Sequence, residues 1–149
     1  MSDKPNEQDS PTQCSTVLVI DDNEPLLRTL RRILKGEGYK VSVATNGSDG
    51  LELVDKEQFD VIISDVAMPG MGGIELLKNI RSRDLDVPVI LMTGEPAIES
   101  AIDAMDLGAS KFLLKPIDMD TLKSAVGRAI KLHRLAKLKQ QALDVIGAQ

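Results

Sequence analysis

The sequence predicts a doubly wound α/β fold, in which helices cover both faces of a five-stranded parallel sheet and the last helix is extended. Short apolar runs rich in Val, Ile and Leu alternate with longer stretches of helical periodicity, which is the pattern of repeated βα units. Aromatic residues make up 2% of the 149 residues and hydrophobic residues 42%. An aliphatic core of this kind is typical of parallel strands that are buried on both faces.

Five apolar runs are short enough for strands and are bounded by polar or turn-forming residues. Because the connections between them are long enough to hold helices, we expect right-handed crossovers between parallel strands. The predicted strands are Thr16–Ile20, 41–44, 61–64, 87–92 and Lys111–Leu114.

One helix is predicted after each strand, from apolar residues at three- and four-residue spacing. Turn-forming residues mark several helix ends, because proline suits a first helical turn and glycine commonly follows a last one. These markers are Pro25 and Gly36 for the first helix, Asn46 for the second, the loop 67–73 for the third, Gly108 for the fourth and Asp118 for the fifth.

Composition and charge divide the chain into three segments. Residues 1–15 are polar, carry a net charge of −2 and are predicted to form a flexible arm. Residues 16–132 form the predicted domain, and residues 133–149 form a C-terminal helical extension. Residues 16–119 carry a net charge of −7, whereas residues 120–149 carry a net charge of +4.

The extension continues as helical sequence without glycine or proline until Gly147. Four of its apolar residues follow the three- and four-residue spacing of a coiled-coil seam. Two interpretations stay open: a helix that dimerises or signals, or a linker to an output domain outside this chain. The apolar ending 142–146 favours the second, in which the chain is a fragment of a longer regulator. The seam residues are Leu135, Leu138, Ala142 and Val145.

Four of the predicted strands lead directly into side chains that can handle a phosphate. Because the carboxyl ends of parallel strands meet at one edge of a sheet, where open α/β sheets bind ligands, we expect these side chains to converge. They are Asp21 and Asp22 after the first strand, Asp65 after the third, Thr93 after the fourth and Lys115 after the fifth.

Three carboxylates placed close together repel one another unless a cation lies between them. Mg²⁺ prefers hard carboxylate oxygens and commonly contacts a phosphate as well. A carboxylate could then attack a phosphoryl group in line, while the lysine and the hydroxyl contact the phosphoryl oxygens. The sequence therefore predicts Mg²⁺ as the cofactor and phosphoryl transfer as the chemistry. No glycine-rich nucleotide-binding motif follows the first strand.

In the order and spacing of these motifs, the sequence resembles the CheY-like receiver domains of response regulators in two-component signalling. The matching elements are the acidic pair in VLVIDDN, the acceptor motif DVAMPGMGG, the hydroxyl position in VILMTGE and the lysine in FLLKP. The resemblance covers about residues 16–132 and implies the flavodoxin-like strand order 2-1-3-4-5.

The resemblance assigns the acidic residues their roles. It implies that Asp65 is the phospho-acceptor and a metal ligand, that Asp22 binds Mg²⁺ directly and that Asp21 binds it largely through water. The main-chain carbonyl of Ala67 is expected to supply a further oxygen to the ion.

The resemblance also implies a switch. Thr93 would be the hydroxyl that moves toward the phosphoryl group, and Lys115 the cation that contacts it. Phe112 stands at the family's aromatic switch position but lacks the hydroxyl of the tyrosine often found there. A cis peptide bond is expected between Lys115 and Pro116.

The expected partner is a histidine kinase that donates the phosphoryl group. The protein would not be an enzyme in the ordinary sense, since it would catalyse only its own phosphorylation and dephosphorylation. Phosphorylation would change the face formed by the fourth helix, the fifth strand and the fifth helix, and so control a partner or an output domain. A homodimer would form through that face or through the C-terminal helix.

Two alternative functions remain at this point. A phosphatase of the haloacid dehalogenase type also uses an aspartyl phosphate and Mg²⁺, but it needs two acids two residues apart, whereas Asp21 and Asp22 are adjacent. A docking module that is never phosphorylated is disfavoured, because no residue of the motif is missing.

Other classes of protein are disfavoured by simple features. No apolar run approaches the ~20 residues of a membrane span, and the polar start does not look like a signal peptide, so a cytoplasmic location is expected. Cys14 is the single cysteine, which leaves no partner within the chain for a disulfide.

The basic residues of the last helix recur every three positions, which indicates a solvated helix face and not a nucleic-acid surface. His133, the single histidine, has no acidic neighbour and no accompanying ATP-binding domain. We therefore do not expect it to be the phospho-histidine of a kinase. The basic residues are Arg128, Lys131, Arg134 and Lys137.

Overall fold

A computed structural model describes residues 14–83, 85–95 and 97–147. Its five strands form one parallel sheet in the order β2-β1-β3-β4-β5. Both the parallel sheet and the strand order 2-1-3-4-5 are therefore confirmed. The strands are β1 Thr16–Ile20, β2 Lys40–Ala44, β3 Val61–Asp65, β4 Val89–Thr93 and β5 Lys111–Leu114.

A helix follows each strand, and the last one is much longer than the others. Helix α5 has 29 residues, which corresponds to about 43 Å at 1.5 Å per residue. It includes the predicted extension as far as Gly147, and residues 148–149 lie outside the described residues. The helices are α1 Glu24–Gly36, α2 Gly47–Lys56, α3 Gly73–Ser82, α4 Ile98–Asp106 and α5 Met119–Gly147.

Polar side chains cap three of the helices at their N-termini, where backbone N–H groups lack partners within the helix. The side-chain oxygen of Asn23 accepts a hydrogen bond from the N–H of Leu26 at 3.1 Å. Asn46 caps α2 in the same way, and Oδ2 of Asp118 accepts from the N–H of Thr121 at 2.9 Å. Two of these caps, Asn23 and Asp118, place helix starts shortly after strands β1 and β5, whose ends carry candidate site residues.

The core consists of two aliphatic layers, one on each face of the sheet. Alternate residues of a strand point to opposite faces, so successive residues of β1 and β3 enter different layers. Helices α1 and α5 cover one layer, and α2, α3 and α4 cover the other. The first layer includes Val17, Val19, Ile63, Leu30 and Val126, and the second includes Leu18, Ile20, Ile62, Leu76 and Leu77.

Four strand boundaries differ from those predicted by sequence. Strands β3 and β4 each end one residue later, at Asp65 and Thr93, and two strands begin at a different residue. Strand β4 begins at Val89 and not at residue 87, after Pro88, which has no N–H to donate to a neighbouring strand. Strand β2 begins one residue early, at Lys40, whose N–H donates to the carbonyl of Ser15 at 2.9 Å. Backbone partners, and not apolar content, decide where these two strands begin.

The two ends of the chain are described in part. Of the predicted arm, residues 1–13 lie outside the described residues, while the exposed thiol of Cys14 lies 3.7 Å from the carbonyl of Gly38. The proposed boundaries at residues 16 and 132 remain predictions. Among the described helices, none is both long enough and apolar enough to span a membrane.

Candidate functional site

The strand order brings the predicted site residues to one edge of the sheet. Asp65 is the last residue of β3 and lies in register with Met92, one residue before Thr93. Thr93 lies in register with Leu114 on the other side, so that Lys115 follows at the same edge. Strand β1 is the other neighbour of β3. Its last residue, Ile20, pairs with Ser64, so Asp21 follows β1 at the level of Asp65.

The three aspartates form a cluster. One carboxylate oxygen from each of Asp21, Asp22 and Asp65 lies within 4.8 Å of the others. Asp21 is completely buried and Asp65 is 6% exposed, whereas Asp22 is exposed to solvent. The cluster therefore combines two charges that are shielded from water with one that faces it.

Lys115 places a cation beside the two buried carboxylates. Its Nζ atom lies 2.8 Å from Oδ2 of Asp21 and 3.4 Å from Oδ2 of Asp65. The other oxygen of Asp21, Oδ1, accepts a hydrogen bond from the backbone N–H of Asn23 at 2.9 Å. Both oxygens of Asp21 are thus engaged, and the carboxylate is held in one orientation between the helix start and the lysine.

The environment shifts the pKa values of Asp65 and of Lys115. Burial and the charge of Asp21 raise the pKa of Asp65, and Lys115 and a backbone hydrogen bond from Ala67 offset part of that effect. Burial lowers the pKa of Lys115, but the hydrogen bond and the charge of Asp21, with a smaller contribution from Asp65, raise it on balance. The lysine therefore stays charged, while Asp65 carries a charge that its surroundings stabilise poorly.

The loop between β3 and α3 folds back on Asp65. The N–H of Val66 donates to the carbonyl of Met92 at 2.8 Å, and the N–H of Gly73 donates to the carbonyl of Val66 at 2.9 Å. A Cβ atom on Gly73 would collide with the carbonyl oxygen of Asp65, and one on Gly72 would lie 2.7 Å from the carbonyl oxygen of Val66. Glycine is needed at both positions because the backbone of residues 72–73 packs directly against the backbone of residues 65–66.

The residues assigned to switching lie on β4 and β5. Thr93 is 2% exposed, its hydroxyl accepts from the N–H of Glu95 at 3.1 Å, and its carbonyl accepts from the N–H of Lys115 at 2.7 Å. Phe112 is half-buried, pairs in register with Leu91 and packs against the core layer under α2, α3 and α4. The peptide bond between Lys115 and Pro116 is cis, as the resemblance implied.

The donor set of the cluster fits a hard divalent cation. Carboxylate oxygens within a few ångströms of one another, with one side open to water, are the ligands that Mg²⁺ accepts. Both oxygens of Asp21 accept hydrogen bonds, whereas Asp22 is exposed, so the side of the cluster that is open to water lies at Asp22.

One inference from the sequence is wrong. His133 does have an acidic neighbour: its Nε2 atom lies 3.3 Å from Oδ1 of Asp86, which is 47 positions away in the chain. The hydrogen bond with His133 lowers the pKa of Asp86. Next to it, Arg134 donates to the hydroxyl of Ser15 at 2.7 Å and lies 3.9 Å from Oδ2 of Asp60, so this member of the basic series contacts the domain. Both contacts tie the start of the extension to the domain.

The comparison with protein families gives one match. The family described as "Response regulator receiver domain" matches residues 17–127. This range includes every residue of the cluster, together with Thr93, Phe112 and Lys115.

Two relatives, both named as transcriptional regulators, are similar to this chain at moderate sequence identity. The transcriptional regulatory protein ZraR of Klebsiella oxytoca is 36% identical over 121 residues, which are 81% of this chain and 27% of that protein. The DNA-binding transcriptional regulator NtrC of Escherichia coli K12 is 36% identical over 141 residues, or 91% of this chain and 30% of that protein. The chain thus spans somewhat more than a quarter of the length of these relatives.

Among solved structures, a receiver domain protein of the CheY type from Methanospirillum hungatei JF-1 superimposes with a TM-score of 0.81 and 25% identity. The match covers 83% of this chain and 99% of that one.

Proposed function

Because the chain belongs to the response regulator receiver domain family, we propose that it accepts a phosphoryl group on Asp65 from the phospho-histidine of a partner kinase. The observation that carries this proposal is the position of the Asp65 carboxylate. It is nearly buried, lies 3.4 Å from the ammonium group of Lys115 and shares its site with two further carboxylates. Family membership favours this function over a haloacid dehalogenase-type phosphatase.

The transfer is an in-line displacement. A carboxylate oxygen of Asp65 attacks phosphorus, the P–N bond of the donor breaks, and the imidazole nitrogen of the kinase histidine keeps the electron pair. Lys115 stabilises the negative charge on the phosphoryl oxygens, and the buried charge of Asp21 holds Lys115 in place. Like other receiver domains, the protein is not an enzyme in the ordinary sense, since we propose that it catalyses only its own phosphorylation and dephosphorylation.

The proposed cofactor is Mg²⁺. Asp22, Asp65 and the main-chain carbonyl of Ala67 would bind it directly, and Asp21 largely through water. When bound, the ion would neutralise charge on the attacking carboxylate and on the phosphoryl group. The acidic cluster supports this assignment, because its charges need a cation that Lys115 alone cannot supply.

Phosphorylation is proposed to act on the face formed by α4, β5 and α5. Thr93 and Lys115 lie at the ends of β4 and β5, so new charge at Asp65 biases the loops that follow them. Phe112 on β5 is the proposed aromatic member of the switch. Three large apolar side chains are more than half exposed on α4 and β5, which supports a role for this face in binding: Ile102, Met105 and Leu114.

The proposed readout is a second copy of the chain, a partner protein or an output domain. The relatives are named as transcriptional regulators and are several times longer than the matched region, which supports an output domain controlled by the receiver. Residues 133–149 are the proposed connection or coiled coil. A cytoplasmic location remains a prediction from the sequence.

Incubation with acetyl phosphate and Mg²⁺, followed by intact-mass spectrometry, tests the proposal. Wild type should gain one phosphoryl group and Asp65→Asn should gain none. The matched control is Asp144→Asn on α5, which removes an exposed carboxylate far along the chain from the cluster and should behave as wild type. Uptake by Asp65→Asn, or no uptake by wild type, would contradict the assignment.

The switch is tested separately. Saturation with beryllofluoride should change sedimentation or the amide exchange of residues 98–114. If both stay unchanged after full modification, the proposed coupling between Asp65 and the α4–β5–α5 face is wrong.

A further inference from the structure

Gly47 is a buried glycine at the first position of α2, directly after the capping residue Asn46. Glycine has no Cβ atom, so a buried glycine can mark a place where backbone conformation or the close approach of another segment excludes a side chain. Backbone conformation is not that reason, because the described glycines with positive φ are Gly38, Gly70 and Gly108. The remaining reason is that a neighbouring segment leaves no room for a side chain at this position.

The space at Gly47 is filled by the acceptor loop, residues 66–72, which connects Asp65 to α3. A Cβ atom on Gly47 would lie 2.6 Å from the carbonyl oxygen of Met71 and 2.9 Å from its Cβ atom. Real Cβ atoms essentially never approach another heavy atom so closely, and a backbone carbonyl cannot rotate away as the end of a side chain can. An added methyl group at Gly47 would therefore displace the loop or the helix.

The acceptor loop is thus held from two sides. On one side, the hydrogen bond from Val66 to Met92 ties it to β4, and on the other the start of α2 lies against Met71. The proposed metal-binding carbonyl of Ala67 lies in this loop between Val66 and Met71. A shift of the loop therefore moves groups next to the acceptor.

Gly50, one turn later on the same helix, has a different neighbour. A Cβ atom there would collide with the terminal methyl group of Ile20, which is the end of a flexible side chain. Gly50 therefore serves the packing of α2 on β1, whereas Gly47 serves the contact of α2 with the acceptor loop. The two positions offer a matched pair for separating helix packing from loop position.

We propose that Gly47 is a positioning residue for phosphoryl transfer: by letting α2 approach Met71, it sets the position of the loop that carries the groups around Asp65. This inference rests on the proposed function. Displacement of reacting groups by about 1 Å can slow a reaction on the order of 100-fold, so Gly47→Ala should slow phosphorylation by at least about tenfold.

The test compares the initial rates of phosphorylation by acetyl phosphate at several donor and Mg²⁺ concentrations. Gly47→Ala should lower the maximal rate, whereas Gly36→Ala, which adds a methyl group in open space, should stay within about twofold of wild type. Gly50→Ala, which disturbs the packing of α2 on Ile20, should lower the rate less than Gly47→Ala does. Thermal unfolding of each variant separates a loss of fold from a loss of rate. Amide chemical shifts of Val66 and Ala67, recorded without metal or donor, should change in Gly47→Ala and not in Gly36→Ala.

A second variant covers the case in which Gly47→Ala does not fold. Gly47→Ala/Met71→Gly removes the close contacts with Cβ and Cγ of Met71, leaves the contact with its carbonyl oxygen and makes the loop easier to displace there. This double variant should fold and should be phosphorylated more slowly than Met71→Gly alone, which is its reference. A wild-type rate in a folded Gly47→Ala protein would overturn the positioning role. Failure of wild type to take up phosphate would instead overturn the proposed function itself.

Discussion

The ammonium nitrogen of Lys115 lies 2.8 Å from Oδ2 of Asp21, although 94 positions separate the two residues in the chain. Asp21 is completely buried, and its second oxygen accepts a backbone hydrogen bond from Asn23. The contact with Asp21 therefore holds the ammonium group of Lys115 in place, 3.4 Å from Oδ2 of Asp65. A buried charge held by a partner in this way is costly to disrupt from either side.

Lys115→Met should leave Asp21 and Asp65 without their cation. We expect a loss of about 3 kcal/mol in the free energy of unfolding at neutral pH. Phosphorylation should slow by about 100-fold or more. Lys123→Met is the matched control, because Lys123 pairs with Glu37 at the surface, where ion pairs contribute about 0–1 kcal/mol. Urea denaturation and mass spectrometry measure the two effects, and equal losses in both variants would contradict the role of the buried pair.

Asp65→Asn should make the metal-free protein more stable at pH 7. The pKa of Asp65 is raised in the folded state, by burial first and by Asp21 second, so its charged form destabilises the fold at pH values above that pKa. The cost vanishes below the ordinary aspartate pKa of about 3.9, where folded and unfolded states both hold the proton.

The gain of Asp65→Asn over wild type should therefore shrink as the pH falls toward about 4, as measured by urea denaturation at a series of pH values. Asp144→Asn should show no such gain. A constant difference at every pH would mean that packing, and not ionisation, causes the effect.

Mg²⁺ should stabilise wild type and have less effect on Asp22→Asn. An ion that binds only the folded state adds about 2.7 kcal/mol when its concentration is 100 times its Kd. Because Asp22 is exposed, its removal should leave the stability in EDTA nearly unchanged. Thermal unfolding in EDTA and in Mg²⁺ checks both statements, and a full Mg²⁺ response in the variant would remove Asp22 from the ligand set.

Arg81→Met should be among the most destabilising surface substitutions, with an expected loss of about 3 kcal/mol. The Arg81 guanidinium connects α3 to the loop before β4 and to the loop before β5, and its removal leaves carbonyl groups without donors. Arg83→Met is the control, since Arg83 mainly pairs with the exposed carboxylate of Asp55. Similar unfolding midpoints for the two variants would be inconsistent with this role. The four carbonyls that Arg81 binds belong to Leu85, Val87, Leu107 and Gly108.

Leu138→Glu should weaken self-association through the extension without destabilising the domain. Leu138 is 60% exposed on α5 and belongs to the predicted seam, so a charge there disrupts only a surface that a second helix would cover. Ala136→Glu adds the same charge away from the seam. Sedimentation equilibrium before and after phosphorylation measures the effect, and a wild type that stays monomeric throughout would exclude this surface as a dimer interface.

Strands, helices and the acidic motifs could be predicted because their signals are local. An apolar run such as Val17–Ile20 specifies a buried strand from its own composition, and an aspartate next to such a run must lie at the end of that strand. The convergence of Asp21, Asp65 and Lys115 then follows from parallel pairing together with the strand order 2-1-3-4-5 that the resemblance implied. The first residues of β2 and β4 were less predictable, because they depend on backbone hydrogen bonds to another segment. Lys40 joins β2 through its bond to the carbonyl of Ser15, and Pro88 has no N–H to donate.

The sequence by itself determined the alternating βα pattern and the residues that meet at the carboxyl edge of the sheet, because both depend on short-range periodicity. Only the tertiary structure decided that His133 meets Asp86, that Arg81 binds four carbonyls and that Gly47 lies against Met71. These contacts join segments that lie far apart in the chain, and their partners are mostly backbone atoms. Backbone atoms are the same at every position, so no residue type in the sequence signals where such contacts form.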